Sequence, residues 1–174
     1  MSTAVDAFIG LGSNLDGPAA QVTAALECLA ALPDSMLHAR SRLYASAPMG
    51  PQDQPDYVNA VAWLRTHLSP HALLDRLQAI EHAAGRRRTD GQRWGPRPLD
   101  LDLLMWGDLQ IAEERLTLPH PGIAERAFVL LPWAEIAPAQ SVPGLGRVDG
   151  LAAARDDGTV YPLSVRRHER SAVP

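Results

Sequence analysis

Tyr57-Val58-Asn59-Ala60-Val61-Ala62-Trp63-Leu64-Arg65-Thr66, with the Ser69–Gly85 segment that follows, decides the fold of this chain. The first run carries apolar side chains on both of its alternating faces. A strand does that when both of its sides are covered, so 57–66 is expected at the centre of a sheet. The second segment is the best-punctuated helix in the sequence. Ser69 stands as N-cap, Pro70 takes the first helical position, and Gly85 lies just past the end. Leu73, Leu74, Leu77 and Ile80 form its core stripe.

Working toward the N-terminus, Ala47–Asp56 holds three prolines in ten residues and reads as a loop. Met36–Tyr44 is a second strand, and Pro18–Leu32 carries Val22, Leu26, Leu29 and Ala30 at helical spacing. Ala4–Leu11 is a buried strand, expected to enter a turn at Gly10-Leu11-Gly12-Ser13-Asn14. The two glycines superficially match a dinucleotide fingerprint, but its third glycine would fall on Leu15, so a turn is the reading.

Toward the C-terminus, Gly85–Pro98 has no periodicity and is expected to be a long mobile loop. Pro98–Trp106 alternates into a strand, and Gln110–Leu118 suggests another. Phe128–Ile136 is apolar, helical or irregular, and interrupted by Pro132. Arg166–Pro174 reads as a charged, frayed tail, which leaves residues 1–165 as one domain. The order is βαββαββα. Because several strands follow one another directly, the expected fold is α+β, a mainly antiparallel sheet covered by helices.

The bulk numbers narrow the function. Of 174 residues, 46% are hydrophobic and 21% charged, as in ordinary globular domains. The net charge of −4 argues against nucleic-acid binding. All sixteen basic residues are Arg, so a phosphate loop ending in Gly-Lys-Ser/Thr is excluded. The single Cys28 rules out an intramolecular disulfide and a cysteine zinc site. Met1–Asp16 lacks a basic start and a long apolar run, and no segment nears the roughly 18 apolar residues of a membrane span. A cytoplasmic protein without membrane partners is expected.

The densest chemistry lies between 86 and 102. Arg86, Arg87, Arg88, Arg93 and Arg97 precede Asp100 and Asp102, with Trp94 among them. Guanidinium forks match phosphate oxygens two at a time. On a strand, Asp100 and Asp102 share one face, while Leu99, Leu101 and Leu103 take the other. Two carboxylates roughly 7 Å apart suit a hard cation such as Mg²⁺. Alone, the pair reads better as acids in solvent on a half-exposed strand; the preceding Arg run reverses that in favour of cation and polyphosphate binding. Trp94, flanked by Gly95 and Pro96, favours a loop that closes over a ligand rather than a solvated basic loop. His120, with Arg115 and Arg126 nearby, is a capped loop histidine or part of a second cationic wall. Glu81 reads as a surface residue. Tyr57 and Asn59 share a strand face and would suit a planar heterocycle, although core packing also accounts for Tyr57.

Three stretches, Gly50–Asn59, Arg93–Asp102 and Leu116–His120, resemble 6-hydroxymethyl-7,8-dihydropterin pyrophosphokinase, an enzyme of folate biosynthesis. The similarity runs from Gly12-Ser13-Asn14 to about Pro138. It implies a ferredoxin-like α+β fold with helices on both faces of the sheet, and a monomer. The implied reaction transfers the β,γ-pyrophosphate of ATP to the hydroxymethyl group of the pterin, releasing AMP. Asp100 and Asp102 would hold two Mg²⁺ ions. Arg88 and Arg97 would stabilise the transferring group, with Trp94 sealing the site. Arg86, Arg93, His120 and Arg126 would complete the phosphate cage. Leu103, Arg115 and Thr117 would lie against adenine, with Gln78 and Glu81 close by. The pterin would stack between Tyr57 and Phe128, hydrogen-bonded by Asn59 and by the loop of Ser46, Ala47 and Met49. The chain departs from the family pattern where Ser46-Ala47 replaces Thr-Pro. Its 88–93 loop is one residue longer, and Pro121 follows His120 where Tyr can occur. An ATP-binding module without chemistry and a Mg²⁺-dependent nucleotide hydrolase are the two other classes that fit the residues.

Overall fold

The computed structural model describes residues 3–15, 17–48, 55–85 and 98–163. Ten strands and four α-helices appear among them. The strands are β1 (Val5–Ser13), β2 (Ser35–Arg40), β3 (Tyr44–Ser46), β4 (Tyr57–Thr66), β5 (Asp100–Trp106), β6 (Ile111–Ala112), β7 (Thr117–Leu118), β8 (Ser141–Val142), β9 (Gly146–Arg147) and β10 (Tyr161–Pro162). The helices are α1 (Pro18–Ala30), α2 (Pro70–Ala83), α3 (Ala127–Ile136) and α4 (Val148–Arg155), with a 3-10 turn at Ile123–Glu125. The main sheet runs β10-β3-β4-β1-β5, and β2 also pairs with β4. Every pairing in it is antiparallel.

Two cores explain why β4 is apolar on both faces. Val58, Ala60, Ala62 and Leu64 join Ile9, Leu11, Leu101 and Leu103 beneath α1 and α2, against Val22, Leu26, Leu29, Leu73 and Leu77. Val61 turns the other way with Phe8, Leu104 and Met105, under Val129, Leu130 and Trp133 of α3 and Val148 and Ala152 of α4. Helices therefore cover both faces, as expected, and β4 runs between β1 on one side and β2 and β3 on the other. Each fully buried Leu or Ile in these cores contributes about 1.5–3 kcal/mol relative to exposure. Ser69 caps α2 by accepting the Ala72 N–H at 3.1 Å, and Gly85 follows with a φ of +95°.

Several boundaries move. The strand expected at 36–44 is two strands, because at Ser41 the side-chain oxygen, not a carbonyl, accepts the Val61 N–H. The strand expected at 110–118 folds back on itself as the β6–β7 hairpin, closed by Glu113 N–H donating to Leu116 O at 2.9 Å. The segment 128–136 is helical despite Pro132, whose missing N–H leaves the Phe128 carbonyl without its usual helical donor. The turn expected at Gly10–Asn14 is not there: β1 continues through Ser13, paired with β5 as far as Gly12 and with β4 as far as Ser13. The ribbon β8–β9, α4 and β10 had no counterpart in the sequence reading. Two-residue strands carry too short a pattern to be recognised. No described helix is long and apolar enough to cross a membrane.

Candidate active site

Strand register assembles the site. Gly12 faces Asp100 on β5 and Asn59 on β4, and Asn59 in turn faces Tyr44 on β3. Directly opposed residues project to the same side, so Asp100, Gly12, Asn59 and Tyr44 form one row across four strands. Asp102, Gly10 and Val61 form the next row. At the Phe8 and Val61 end this face is covered by α3 and α4. At the other end the two glycines provide a floor without side chains beneath the carboxylates. A Cβ built on Gly12 would stand 3.3 Å from Asn59 Oδ1 and 3.8 Å from Tyr57 Cδ1. The glycines mistaken for a turn are thus the residues that keep this face low.

Two nitrogen groups stand over Asp102. Arg126 Nη1 lies 3.6 Å from its Oδ2, and His120 Nε2 lies 4.0 Å from Oδ1. A bulge prepares the second contact. Leu104 is an extra residue in β5 between the pairings Ile9↔Leu103 and Phe8↔Met105, and its carbonyl accepts the His120 N–H at 2.9 Å. His120 Nδ1 accepts from the Gly122 N–H at 3.0 Å, which leaves the ring proton on Nε2, toward Asp102. Burial lowers the His120 pKa; the Asp102 charge opposes that shift and Arg126 adds to it. The neutral ring is therefore favoured near neutral pH. Gly122 is required for the Arg126 contact. A Cβ there would come within 2.7 Å of Arg126 Nε, displacing a guanidinium that also lies 5.9 Å over the Phe128 ring.

The heterocycle candidates lie along the same face. Asn59 Nδ2 donates to Ser46 Oγ at 2.7 Å, and both residues are buried. Tyr57 pairs with Ser46 in the β3–β4 register, Ala47 follows it on the surface, and Phe128 begins α3 on the same side of the sheet. A second group gathers at the β5 edge beside α2. Arg115, in the hairpin turn, pairs with Asp75 and donates to Gln78 Oε1 at 3.1 Å. Thr117 begins β7 beside it. His71 and Glu113 make a further contact between α2 and this hairpin at 2.8 Å.

One reading changes. Glu81 is not a surface residue: it is 5% exposed, and its Oε2 accepts the Leu101 N–H at 2.7 Å. Its spacing from Leu77 and Leu74 places it on the buried stripe, a signal that its charge obscured. Leu103 takes the face opposite the aspartates, as the alternation predicts, and packs into the α1–α2 core. Asp75 was missed altogether, because nothing in a helix surface pattern marks which exposed acid will meet a distant Arg. Met49, Arg86, Arg88, Arg93, Trp94 and Arg97 lie outside the described residues. Among the described residues no group of three or more His, Cys, Asp or Glu gathers as a metal cluster.

Comparison with known proteins identifies the family and the fold. Residues 8–138 match the family model of 7,8-dihydro-6-hydroxymethylpterin-pyrophosphokinase. A 2-amino-4-hydroxy-6-hydroxymethyldihydropteridine pyrophosphokinase of Haemophilus influenzae is 52% identical over 133 residues, 76% of this chain and 82% of that protein. The protein of the same description from Pseudomonas aeruginosa is 48% identical over 147 residues, 84% of this chain and 90% of its own length. A crystal structure of Plasmodium falciparum HPPK-DHPS with pteroate superposes with a TM-score of 0.73 at 11% identity. That alignment covers 93% of this chain but 48% of the solved chain, so it speaks for the fold alone.

Proposed function

The chain belongs to the 7,8-dihydro-6-hydroxymethylpterin-pyrophosphokinase family of folate biosynthesis, and from that premise we propose how its residues carry the reaction. The donor is ATP. The hydroxymethyl oxygen of the pterin attacks the β-phosphorus, the bond from that phosphorus to the α-β bridging oxygen breaks, and AMP leaves. The hydroxyl proton passes to solvent, and the pterin diphosphate is the product.

The observation that carries this reading is the row Asp100–Gly12–Asn59, which sets a metal-type carboxylate pair and a buried amide on one glycine-floored face. Hard oxygen donors with no side chain opposite them suit Mg²⁺, so Asp100 and Asp102 would hold the two ions. Bound there, Mg²⁺ would supply positive charge against the phosphate oxygens. The protein's own contribution is alignment and charge. Arg126 and the Nε2–H of His120 present donors toward the transferring group, and Arg86, Arg88, Arg93 and Arg97 are assigned to the same task by their place in the family motif. Trp94 would seal the site. Gln78, Arg115 and Thr117, collected at the β5 edge, are suited to hold the base, with Glu81 and Leu103 supporting that edge from the core. Asn59 and Ser46 offer an amide and a hydroxyl to the pterin edge, beside Ala47 and Met49, while Tyr57 and Phe128 supply rings for its faces. The acting unit is one domain, residues 1 to about 165, working as a monomer in the cytoplasm.

Incubation with ATP, Mg²⁺ and hydroxymethyl-dihydropterin tests the whole reading. AMP should form only when all three are present. Pterin-independent hydrolysis would assign the site to a nucleotide hydrolase, and nucleotide binding without product would make it a binding module.

A further inference from the structure

One carboxylate outside the reaction carries more hydrogen bonds than a surface residue needs. Glu135 stands on α3, two turns beyond Phe128. Its Oε1 accepts from Tyr44 Oη at 2.5 Å and from Arg42 Nε at 2.9 Å, and its Oε2 accepts the Arg42 backbone N–H at 2.8 Å. Both donors belong to β3 or the residues leading into it. This single side chain therefore ties α3 to β3.

The position of that tie is what matters. β3 is only three residues long, flanked by β4 and by the two-residue β10, so its ladders hold it with few bonds. Tyr44 faces Asn59 across the β3–β4 pairing, and Asn59 donates to Ser46, two residues further along β3. Phe128 lies on the same helix as Glu135. Among the described residues, α3 otherwise meets the sheet through apolar packing of Val129, Leu130 and Trp133, which sets distance from the sheet.

We propose that Glu135 is a positioning residue for the pterin, holding the β3 wall with Ser46 and the α3 wall with Phe128 at the separation the heterocycle requires. The proposal rests on the reading of Asn59, Ser46 and Phe128 as the pterin site. Displacements near 1 Å at a binding wall can cost on the order of 10²-fold in function, which is the scale a loosened tie would produce. The nucleotide flank at Arg115 and Gln78 lies on α2 and the hairpin and makes no use of Glu135.

The test compares Glu135→Gln and Tyr44→Phe with Asp6→Asn. The last variant disturbs the bonds of Asp6 to Trp63 and Arg65 elsewhere on the same sheet. Calorimetry would give the pterin Kd with Mg²⁺ and a non-hydrolysable ATP analogue present, and separately the analogue's own Kd, alongside each Tm. The expected result is a pterin Kd raised about tenfold or more in both tie variants, an analogue Kd within twofold of wild type, and no pterin effect in Asp6→Asn at a comparable loss of Tm. If Glu135→Gln does not fold, Tyr44→Phe, which removes one hydroxyl, decides alone. A pterin Kd unchanged in the folded tie variants, or raised equally in Asp6→Asn, overturns the proposal. A wild-type chain that binds the analogue but not the pterin overturns the parent reading and the proposal with it.

Discussion

Replacing Gly12 with Ala puts a methyl group where the structure has left room for recognition. The new Cβ would stand 3.3 Å from Asn59 Oδ1, inside ordinary van der Waals distance, with Tyr57 Cδ1 at 3.8 Å and the Val58 carbonyl at 4.0 Å. Asn59 has little freedom to retreat, since it is 3% exposed and its Nδ2 is already bonded to Ser46 at 2.7 Å. Two effects oppose each other in stability. Removing a glycine from a strand lowers the entropy of the unfolded chain and gains about 0.4–1 kcal/mol. Shifting a buried amide off its partner costs about 1–3 kcal/mol. The net is a loss of roughly 0–2.6 kcal/mol, small enough for the protein to stay folded. Pterin recognition has no such compensation. Losing one well-placed hydrogen bond from Asn59, about 1–3 kcal/mol, raises the pterin KM about five- to 150-fold at 1.4 kcal/mol per decade. Steady-state kinetics with each substrate varied in turn, alongside thermal denaturation, measures both. The KM for ATP should move less than twofold. A variant with wild-type pterin KM would show that Asn59 is not a recognition group, and one with both KM values raised equally would show general damage to the sheet.

Other outcomes follow from the same geometry. Asp102→Ala should lower AMP formation by about 10²-fold or more at any Mg²⁺ concentration, and recovery at saturating Mg²⁺ would remove Asp102 from the metal set. Glu81→Ala leaves the buried Leu101 N–H without its acceptor and should cost about 1–3 kcal/mol in denaturant unfolding. Glu81→Gln keeps an acceptor oxygen and should lose less than half as much; equal losses would mean that the charge itself is needed. Burial first, then the bond to Glu135, pushes the Tyr44 hydroxyl up to about 12, so an ultraviolet titration should show a tyrosine ionising near there that vanishes in Tyr44→Phe. Because the folded state holds that proton more tightly, its stabilising effect is complete below the ordinary value of 10 and is lost as pH rises toward about 12. Glu135 behaves in the opposite sense. Burial pushes its carboxyl up, but the bonds from Tyr44 and Arg42 outweigh this and hold it below the ordinary 4.5. Its contribution is present above that pH and lost as pH falls below it, which denaturant midpoints across the acid range would show against Glu135→Gln.

The amino-acid sequence alone determined the central strand, the α2 helix with its two caps, the antiparallel α+β class and the Asp100/Asp102 face. Each rests on a local periodicity or on a residue whose preference is intrinsic, such as Pro70 at a helix start or alternation along 98–106. The motif stretches also carried the family. Tertiary structure decided the rest. Gly10 and Gly12 read as a turn because glycine's local freedom is all that a sequence displays; only pairing with β4 and β5 shows them to be a floor. Glu81 read as exposed because its charge outweighs its place on the buried stripe, and its acceptor role exists only once Leu101 is brought against it. Arg115 meeting Asp75, and Glu135 meeting Tyr44 and Arg42, join residues 40 and about 90 positions apart. No pattern within a strand or a helix encodes such contacts. They are set by which faces the two cores bury, and that is a property of the assembled sheet.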